Sequence, residues 1–338
     1  MNKKQTLELY EYLDDLDLDE RGQERFMRHH PKKLKSSERV FLHKQDDSRS
    51  SFQFTYQAAR FEQAWLLESL GAFYEQRWIS DVLRKVKGGK EASVYLCLAG
   101  KAVEADLLAV KVYRPRMLRN LKQDHAYREG RAELDSEGNQ LLDDGALHAI
   151  AKRTAFGEQL RHQSWISYEY TTLQALFAAG ADVPRPYALA NNAILMDYIG
   201  DLGVAAPALN EISLDRAEAQ SLFERLLRNL DILLAQQRVH GDLSAYNILY
   251  WQGDITLIDF PQVVSPNGNR NAYQIFERDV LRACEYFAQM GVSCQPRKLA
   301  ANLWTKHGYR VREEIHPGLL DAENPQDRSL WQKQQSGR

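Results

Sequence analysis

The segment from residue 240 to residue 260 constrains the fold of this chain more than any other part of the sequence. It has the sequence HGDLSAYNILYWQGDITLIDF, in which two short apolar runs flank the turn signal QGD. This pattern predicts two short strands, around NILYW and ITLIDF, that pair as a hairpin. With Gly253 at the centre of the turn, we expect Asn247 and Asp259 to lie directly opposite each other, with Cβ atoms roughly 4.5–5.5 Å apart.

The polar residues of this hairpin have the spacing that phosphoryl transfer from magnesium-bound ATP requires. Asp242 and Asn247 form a D-x-x-x-x-N pattern, and Asp259 lies at the end of the next strand. In such a site one carboxylate orients or deprotonates the attacking hydroxyl, while an amide and a second carboxylate hold the metal ion. The alternative is a surface hairpin with ordinary turn carboxylates, which each residue alone would favour. The three residues together favour the phosphoryl-transfer site.

Lys111 is a second candidate, because it lies within the apolar run LLAVKVY. The period of a strand places Ala109 and Lys111 on one face, and Val110 and Val112 on the other. A lysine in so apolar a strand either reaches the strand edge or pairs with an anion. In the functional interpretation Lys111 contacts nucleotide phosphates, and Glu169 on the following helix holds its ammonium group in place.

A glycine-rich turn, KGGKEA, separates the first two predicted strands. The glycines Gly88 and Gly89 let backbone N–H groups approach an anion, so the turn could fold over phosphates. It matches neither G-x-x-x-x-G-K-[ST] nor G-x-G-x-x-G, and a plain hairpin turn would have the same composition.

The order of the predicted elements indicates the fold class. Strands are expected at WISDVLRKV, ASVYLCL, LLAVKVY and NAILMDYIG. Hydrophobic spacing predicts helices over residues 58–75, 164–180, 215–237 and 272–290. The charged segment 114–162 is long for a connection, which makes it either a mobile functional loop or partly helical. Strands come first and helices mostly later, which favours a small mixed lobe followed by a larger helical lobe.

This order also predicts the division of the chain into segments. Residues 1–57 form a polar, charged arm. Residues 58–200 form a helix and the small lobe, which includes the loop 114–162. Residues 201–315 form the larger lobe, and residues 316–338 form a loose tail.

Composition excludes several classes of protein. Apolar residues make up 44% of the chain and aromatic residues 10%, which is enough to fill a core, so wholesale disorder is excluded. No long apolar run is present, so neither a membrane-spanning helix nor a signal peptide is predicted. Three cysteines without a C-x-x-C pair argue against a disulfide framework and a zinc site, and favour a reducing, cytoplasmic location.

The charge of the chain is unevenly distributed, although the net charge is only −2. Residues 7–20 hold seven carboxylates and no Lys or Arg, whereas residues 21–60 hold ten Lys or Arg against four carboxylates. A basic stretch of this kind could contact RNA phosphates or an acidic partner. The alternative is a solvated, poorly ordered arm.

Taken together, these motifs resemble those of the RIO family of atypical protein kinases. The matching pieces are GKEASVY at residues 89–95, AVKVY at 109–113, Trp165 four residues before Glu169, LMDYIG at 195–200, HGD to Asn247, IDFPQ at 258–262 and FERDV at 276–280. The resemblance covers about residues 78–290. It implies an α+β, two-lobed, protein-kinase-like fold, trimmed of the activation and peptide-binding elements of conventional kinases.

The resemblance also implies roles for individual residues. Asp242 corresponds to the catalytic base, Asn247 and Asp259 to the metal ligands, and Asp259 also to the residue that forms an aspartyl-phosphate in the family. Lys111 and Glu169 correspond to the pair that positions the phosphates. The other residues expected to border ATP are Gly88, Gly89, Lys90, Glu91, Ala92, Val94, Met196, Tyr198 and Ile199. The implied cofactors are ATP and Mg²⁺, for which Mn²⁺ could substitute.

The function implied is that of a Mg-ATP-dependent serine/threonine protein kinase that autophosphorylates and could also hydrolyse ATP. One alternative is a small-molecule phosphotransferase of the aminoglycoside or choline kinase type, which shares HGDL, NIL and IDF. The GKEA turn and Pro261-Gln262 argue against it. Another alternative is an ATPase switch in ribosome or RNA–protein assembly. The expected partners are ATP, a protein acceptor that the sequence does not identify, and RNA or a ribosomal particle at residues 21–60.

Overall fold

The structure is a computed structural model that describes residues 52–89, 91–114, 127, 131–311, 328–329 and 331–332. Most of the predicted N-terminal arm, Lys90 and most of the predicted tail therefore lie outside the described residues. The described chain divides into two compact units. The first comprises the residues up to 114 with 158–166 and 186–198, and the second comprises the remainder.

The elements follow one another as strands and helices of ordinary length. The helices are α1 (Arg60–Glu75), α2 (Asp144–Ala151), α3 (Ala155–Ala178), α4 (Arg216–Ala235), α5 (Ala272–Gln289) and α6 (Pro296–Lys306). The strands are β1 (Ile79–Gly88), β2 (Ala92–Ala99), β3 (Leu107–Tyr113), β4 (Pro186–Ala190), β5 (Ala193–Asp197), β6 (Ile248–Trp251) and β7 (Asp254–Leu257).

The first unit is built on a five-stranded antiparallel sheet with the strand order β1-β2-β3-β5-β4. Strand residues alternate between the two faces of a sheet, and one face of this sheet is apolar. Leu108, Val110 and Val112 of β3 lie on that face and join the buried core that includes Leu66 and Leu70 of α1. The opposite face of β3 carries Ala109 and Lys111, as predicted from the strand period.

The second unit is mainly helical. Helix α4 begins where Oδ1 of Asp215 accepts hydrogen bonds from the backbone N–H groups of Ala217 and Glu218, both 2.9 Å long. Its buried stripe includes leucines 222, 226, 230, 233 and 234. The predicted α+β class is thus confirmed, with a sheet-based unit and a larger helical unit. Residues 258–271 connect β7 to α5 without an intervening helix.

Several elements differ from the sequence prediction. Helix α3 begins nine residues before residue 164, because the hydroxyl of Thr154 caps it by accepting a 3.0 Å hydrogen bond from the N–H of Gly157. Segment 114–162 is partly helical, since α2 and the start of α3 lie in it. Strand β4 and helix α6 were not predicted, because the five residues of β4 lack alternation and α6 is short, with Ala300 and Trp304 as its buried residues.

The register of the hairpin β6–β7 differs by one residue from the expected one. Ile248 pairs with Leu257 and Trp251 with Asp254. The centre of the turn therefore lies between Gln252 and Gly253, which have φ angles of 51° and 86°. Two successive positive φ angles are typical of a two-residue type I′ turn. The prediction that Asn247 and Asp259 are directly opposite each other is therefore wrong.

The cysteines also correct an expectation. Cys284 in α5 and Cys294 beyond its end form a disulfide, with Cα atoms 6.4 Å apart. Cys97 is free and buried in β2. An odd number of cysteines argues against a framework of several disulfides, but it leaves room for one local pair where a helix ends and the chain turns back.

Candidate functional site

A cavity of about 740 Å³ lies within the second unit, beside the segment that the sequence singled out. Asp242, Asn247 and Asp259 all line it. The other lining residues are Asn210, Ile212, Ser244, Ala245, Tyr246, Arg282, Glu285, Tyr286, Gln289 and Met290. The structure therefore brings the three predicted polar residues to one cavity, although not through the cross-strand pairing that predicted it.

Asp242 lies in an irregular segment before a short 3-10 turn, Ala245–Asn247. Its Oδ1 accepts a 2.8 Å hydrogen bond from Nη1 of Arg282, and the pair is also a salt bridge. The backbone N–H of Asp242 donates to Nδ1 of His240 at 3.3 Å. Nε2 of the same imidazole lies 3.1 Å from the carbonyl oxygen of Ile258, which can only accept, so Nε2 carries the hydrogen.

Asn247 is held by the backbone of Asp242. Its Nδ2 donates a 2.9 Å hydrogen bond to the carbonyl oxygen of Asp242 and lies 3.5 Å from Oδ2 of that residue. The carbonyl oxygen of Asn247 accepts from the N–H of Ile258 at 3.0 Å, which ties the 3-10 turn to the end of β7. Because Nδ2 is used internally, Oδ1 of Asn247 is the atom that could coordinate a cation.

Asp259 has the left-handed backbone conformation, with φ of 71°. Such a conformation costs a residue other than glycine about 1 kcal/mol or more, although Asp and Asn tolerate it best. The next residue, Phe260, is fully buried and its ring lies 4.6 Å from that of His240, centroid to centroid. The reversal at Asp259 thus lets the chain bury Phe260 while the carboxylate of Asp259 lines the cavity.

Glu169 of α3 is only 1% exposed, so it is not the solvated helix carboxylate that its sequence context alone would favour. Its Oε1 accepts a hydrogen bond of 3.4 Å from the N–H of Phe260. The carboxylate is therefore attached to the backbone directly after Asp259. Its predicted pairing with Lys111 joins residues of two different units and stays a prediction.

A charged pair on α5, the buried Asp279 and the half-buried Arg278, supports the segment that carries Asp242. Oδ2 of Asp279 accepts a 2.8 Å hydrogen bond from the backbone N–H of Gly241. Arg278 donates to the carbonyl oxygen of Gly241 and, at 3.3 Å, to Oδ1 of Asp279. Burial raises the pKa of Asp279 to about 7, against the lowering effect of Arg278. The segment FERDV contributes to the family resemblance, which gives no role to Arg278 or Asp279, and their two adjacent opposite charges are the signal that could have singled them out.

Two residues of segment 114–162 contact the same region. Nη1 of Arg278 donates to the hydroxyl of Tyr127 at 3.1 Å. Nη2 of Arg131 donates to the carbonyl oxygens of Pro261 (3.1 Å) and Val263 (2.6 Å), and its guanidinium lies 4.0 Å from the ring centroid of Tyr168. Tyr127 and Arg131 thus contact the part of the chain that follows Asp259, at residues 261, 263 and 278.

The predicted nucleotide residues of the first unit share one face of its sheet. Val94 pairs with Lys111, and Ala109 pairs with Met196, so the side chains of Val94, Lys111 and Met196 lie on the face opposite to the apolar core. Nζ of Lys111 is 5.2 Å from the ring centroid of Tyr113. The hydroxyl of Tyr198 accepts a 2.9 Å hydrogen bond from Arg84. Ile199 belongs to the second unit.

The glycine-rich turn joins β1 and β2. Gly88 pairs with Ser93 at the end of the ladder, and the N–H of Gly89 donates to the carbonyl oxygen of Ala92 at 2.9 Å. The carbonyl oxygen of Glu91 accepts from the N–H of Arg114 at 2.9 Å. Lys90 lies outside the described residues, so its predicted contact stays a prediction.

The donor set of the cavity fits magnesium rather than a metal held by the protein alone. Among the described residues, no group of three or more His, Cys, Asp and Glu side chains is placed to hold a metal ion. Asn247 and Asp259 together offer hard oxygen ligands. Mg²⁺ is usually bound by one or two protein oxygens, and waters and substrate phosphates complete its coordination, so this pair is sufficient.

Across the described part of the chain, no helix combines the length and hydrophobicity needed to span a membrane.

Comparison with known proteins places these features in a family. The RIO domain model matches residues 93–299. The serine/threonine-protein kinase rio1 of Schizosaccharomyces pombe is 28% identical over 243 residues, which are 71% of this chain and 45% of that protein. The RIO-type serine/threonine-protein kinase Rio1 of Methanocaldococcus jannaschii is 26% identical over 311 residues, 92% of each chain.

A solved structure is also similar. The crystal structure of the Rio2 kinase-ADP/Mg2+-phosphoaspartate complex from Chaetomium thermophilum has a TM-score of 0.47 and 19% sequence identity. The similarity covers 80% of this chain and 76% of that one. The curated relatives differ in length. The chain spans less than two thirds of several of them, for example 63% of the Haloferax volcanii Rio1 kinase and 40% of the Chaetomium thermophilum RIO1 kinase.

Proposed function

Because the chain belongs to the RIO family of atypical protein kinases, we propose that it is a serine/threonine kinase that transfers the γ-phosphoryl group of Mg-ATP to a protein hydroxyl. The observation that carries this proposal is the presence of Asp242, Asn247 and Asp259 around one cavity. A carboxylate that reaches an acceptor hydroxyl, beside an amide and a carboxylate that hold a metal, is the minimum set for this reaction.

The roles we propose follow from the contacts of each residue. Asp242 orients the acceptor hydroxyl and accepts its proton. Asn247, through Oδ1, and Asp259 hold Mg²⁺, which neutralises phosphate charge when it is bound. Glu169 holds the backbone after Asp259 and, with Lys111, positions the phosphates.

ATP occupies the face of the first unit's sheet that carries Val94, Lys111 and Met196. The alternation of strand residues supports this assignment, since it leaves these side chains opposite to the apolar core. The turn from Gly88 to Ala92, including Lys90, covers the phosphates, and Tyr198 and Ile199 border the adenine.

A contact with RNA or a ribosomal particle through residues 21–60 stays a prediction, since residues 21–51 are outside the described part of the chain. The use of Mn²⁺ in place of Mg²⁺ and a cytoplasmic location stay predictions as well.

The proposed function is tested by the intact mass of the protein after incubation with Mg-ATP. We expect an adduct of one or more phosphates that resists hydroxylamine, because Ser and Thr phosphoesters resist it and acyl phosphates do not. Asp242→Ala should abolish the adduct. Glu224→Ala is the matched control, since Glu224 is an exposed carboxylate of α4 that accepts a hydrogen bond from Gln220.

Two results would contradict the proposal. An adduct that hydroxylamine removes would place the phosphate on a carboxylate, with Asp259 as the first candidate, and would favour an ATPase cycle. A protein that binds nucleotide but gains no phosphate would indicate an acceptor other than itself, and a failure to phosphorylate any protein in a panel of generic acceptors would overturn the kinase assignment.

A further inference from the structure

We propose that Arg282 is a positioning residue for phosphoryl transfer. It holds the carboxylate of Asp242 in the orientation that accepts a hydrogen bond from the hydroxyl of the phosphate acceptor. This inference rests on the proposed function. Arg282 lies in α5, outside every motif that the sequence analysis singled out, and lines the same cavity as Asp242, Asn247 and Asp259.

Among the described residues, Arg282 makes the shorter of the two polar contacts to the side chain of Asp242. Its Nη1 is 2.8 Å from Oδ1, whereas Nδ2 of Asn247 lies 3.5 Å from Oδ2. A donor at 3.5 Å contributes little to the orientation of a carboxylate, and a charge-assisted bond at 2.8 Å contributes much more. With Oδ1 held by Arg282, Oδ2 is the oxygen left for the acceptor hydroxyl.

The position of Arg282 on α5 explains why it can act as a fixed support. Arg282 is three residues after Asp279, so the two side chains lie on neighbouring parts of one helix surface. Asp279 holds the backbone N–H of Gly241, and Arg282 holds the side chain of the next residue, Asp242. Helix α5 therefore contacts the catalytic segment at two consecutive residues, one through the main chain and one through the side chain.

The helix itself is firmly packed, which makes it a suitable base for a positioning residue. Its buried side chains include Phe276, Val280, Ala283 and Phe287, and Asp279 is buried as well. Arg282 directly precedes Ala283 on the same helix. The side chain of Arg282 is 40% exposed and that of Asp242 is 42% exposed. The pair can therefore be changed without opening the core, and it remains accessible to an acceptor that enters the cavity.

A cation beside the base is compatible with this reaction. The transition state of phosphoryl transfer is loose, and there is little covalent chemistry for the protein to perform, so catalysis depends mainly on positioning and electrostatics. A charged group that fixes the orientation of the Asp242 carboxylate therefore assists the reaction.

The test compares Arg282→Met and Arg282→Lys with the wild-type chain. Arg297→Met serves as the matched control, because Arg297 is an exposed arginine on α6. Two quantities are measured: the rate of phosphoryl transfer at saturating Mg-ATP, and the dissociation constant of Mg-ATP. We expect Arg282→Met to lower the rate by about 10- to 100-fold, the effect of a misplaced catalytic group, with the dissociation constant within about twofold of wild type.

Arg282→Lys should restore part of the rate, since lysine keeps the charge and one donor but not the planar fork. The inference is overturned if Arg282→Met transfers phosphate as fast as wild type or faster, the latter result indicating an inhibitory clamp. A parallel loss of nucleotide affinity, or a melting temperature that falls with the rate in both variants, would indicate a purely structural role. If the wild type itself transfers no phosphate, the proposed function fails, and the two failures are thereby distinguished.

Discussion

The backbone N–H of Gly241 donates a 2.8 Å hydrogen bond to Oδ2 of Asp279, a carboxylate that is 1% exposed and lies 38 residues further along the chain. The residue that follows Gly241 is Asp242, so this bond fixes the main chain beside the proposed base. Burial disfavours the ionised form of Asp279 and thereby raises its pKa to about 7. The contact therefore connects the stability of helix α5 with the geometry of the site.

Asp279→Asn is expected to change the pH dependence of stability. The folded-state pKa of Asp279 lies above its unfolded value, so the folded protein binds more protons between about pH 4 and pH 7. The contribution of this group to stability is then greatest below pH 4 and falls as the pH rises to about 7, by at most about 1.4 kcal/mol per pH unit. Asparagine does not titrate and removes this slope.

Urea unfolding of wild type and Asp279→Asn at several pH values measures this effect. The groups that contact or face Asp279 are Arg278, Gly241 and Asp242, and they are unchanged in the variant. A stability difference between the two proteins that stays constant from pH 4 to pH 7 would contradict the expectation.

Gly241→Ala should distort the catalytic segment. Gly241 has φ of 87°, and an added Cβ would lie 2.1 Å from the carbonyl oxygen of Gln262. Both effects are unfavourable, so we expect a loss of about 2 kcal/mol or more in the free energy of unfolding, together with a loss of phosphoryl transfer. Gly203→Ala is the control, because nothing lies within 4 Å of its added Cβ. Chemical denaturation checks both variants, and equal stabilities would show that the segment relaxes without cost.

Asp259→Asn should separate metal binding from the role of Asp242. Asparagine tolerates the left-handed conformation that Asp259 adopts, so the backbone is preserved while the charge is lost. We expect the affinity for ATP in the presence of Mg²⁺ to fall by about 10-fold or more, and the affinity in EDTA to change little. Asp242→Ala should leave both affinities near wild type. Calorimetric titrations with and without Mg²⁺ measure these affinities. Equal affinities for the two variants would contradict the assignment of Asp259 as a metal ligand.

Arg131→Met should slow transfer without unfolding the second unit. The change removes two hydrogen bonds to the carbonyl oxygens of Pro261 and Val263, which follow Asp259 in the chain. We expect the rate of phosphoryl transfer to fall by about 10-fold, an effect of the size that the loss of charge-assisted hydrogen bonds produces. Lys152→Met, an exposed change in the same segment, is the control. A wild-type rate for Arg131→Met would mean that this attachment does not affect Asp259.

The elements around the site were largely predictable because their patterns are local. Strand β3 coincides with the run LLAVKVY, and α4 begins directly after residue 215, where the predicted helix starts. The face of β3 that carries Lys111 follows from a period of two residues, which any strand must obey. The start of α3 was missed because Gly157 and several polar residues interrupt the apolar residues of 155–163, and the cap at Thr154 is what marks it.

The chemical groups of the site and their spacing along the chain follow from the sequence: Asp242, Asn247 and Asp259, with a hairpin between the last two. Their arrangement in space depends on the tertiary structure. The two-residue turn at Gln252 and Gly253 shifts the register by one, and Asp259, beyond the paired residues of β7, has a left-handed backbone. Spacing rules treat strands as ideal, whereas turn geometry and the burial of neighbouring side chains set the actual directions.

The supports of the site were beyond the reach of local patterns for a related reason. Asp279 and Arg282 contact Gly241 and Asp242 across 38 and 40 residues of chain. Nothing in the spacing of FERDVLR specifies which turn of the helix faces the catalytic segment. That choice depends on how α5 packs its buried side chains, and the packing of one helix is determined by all of its neighbours at once.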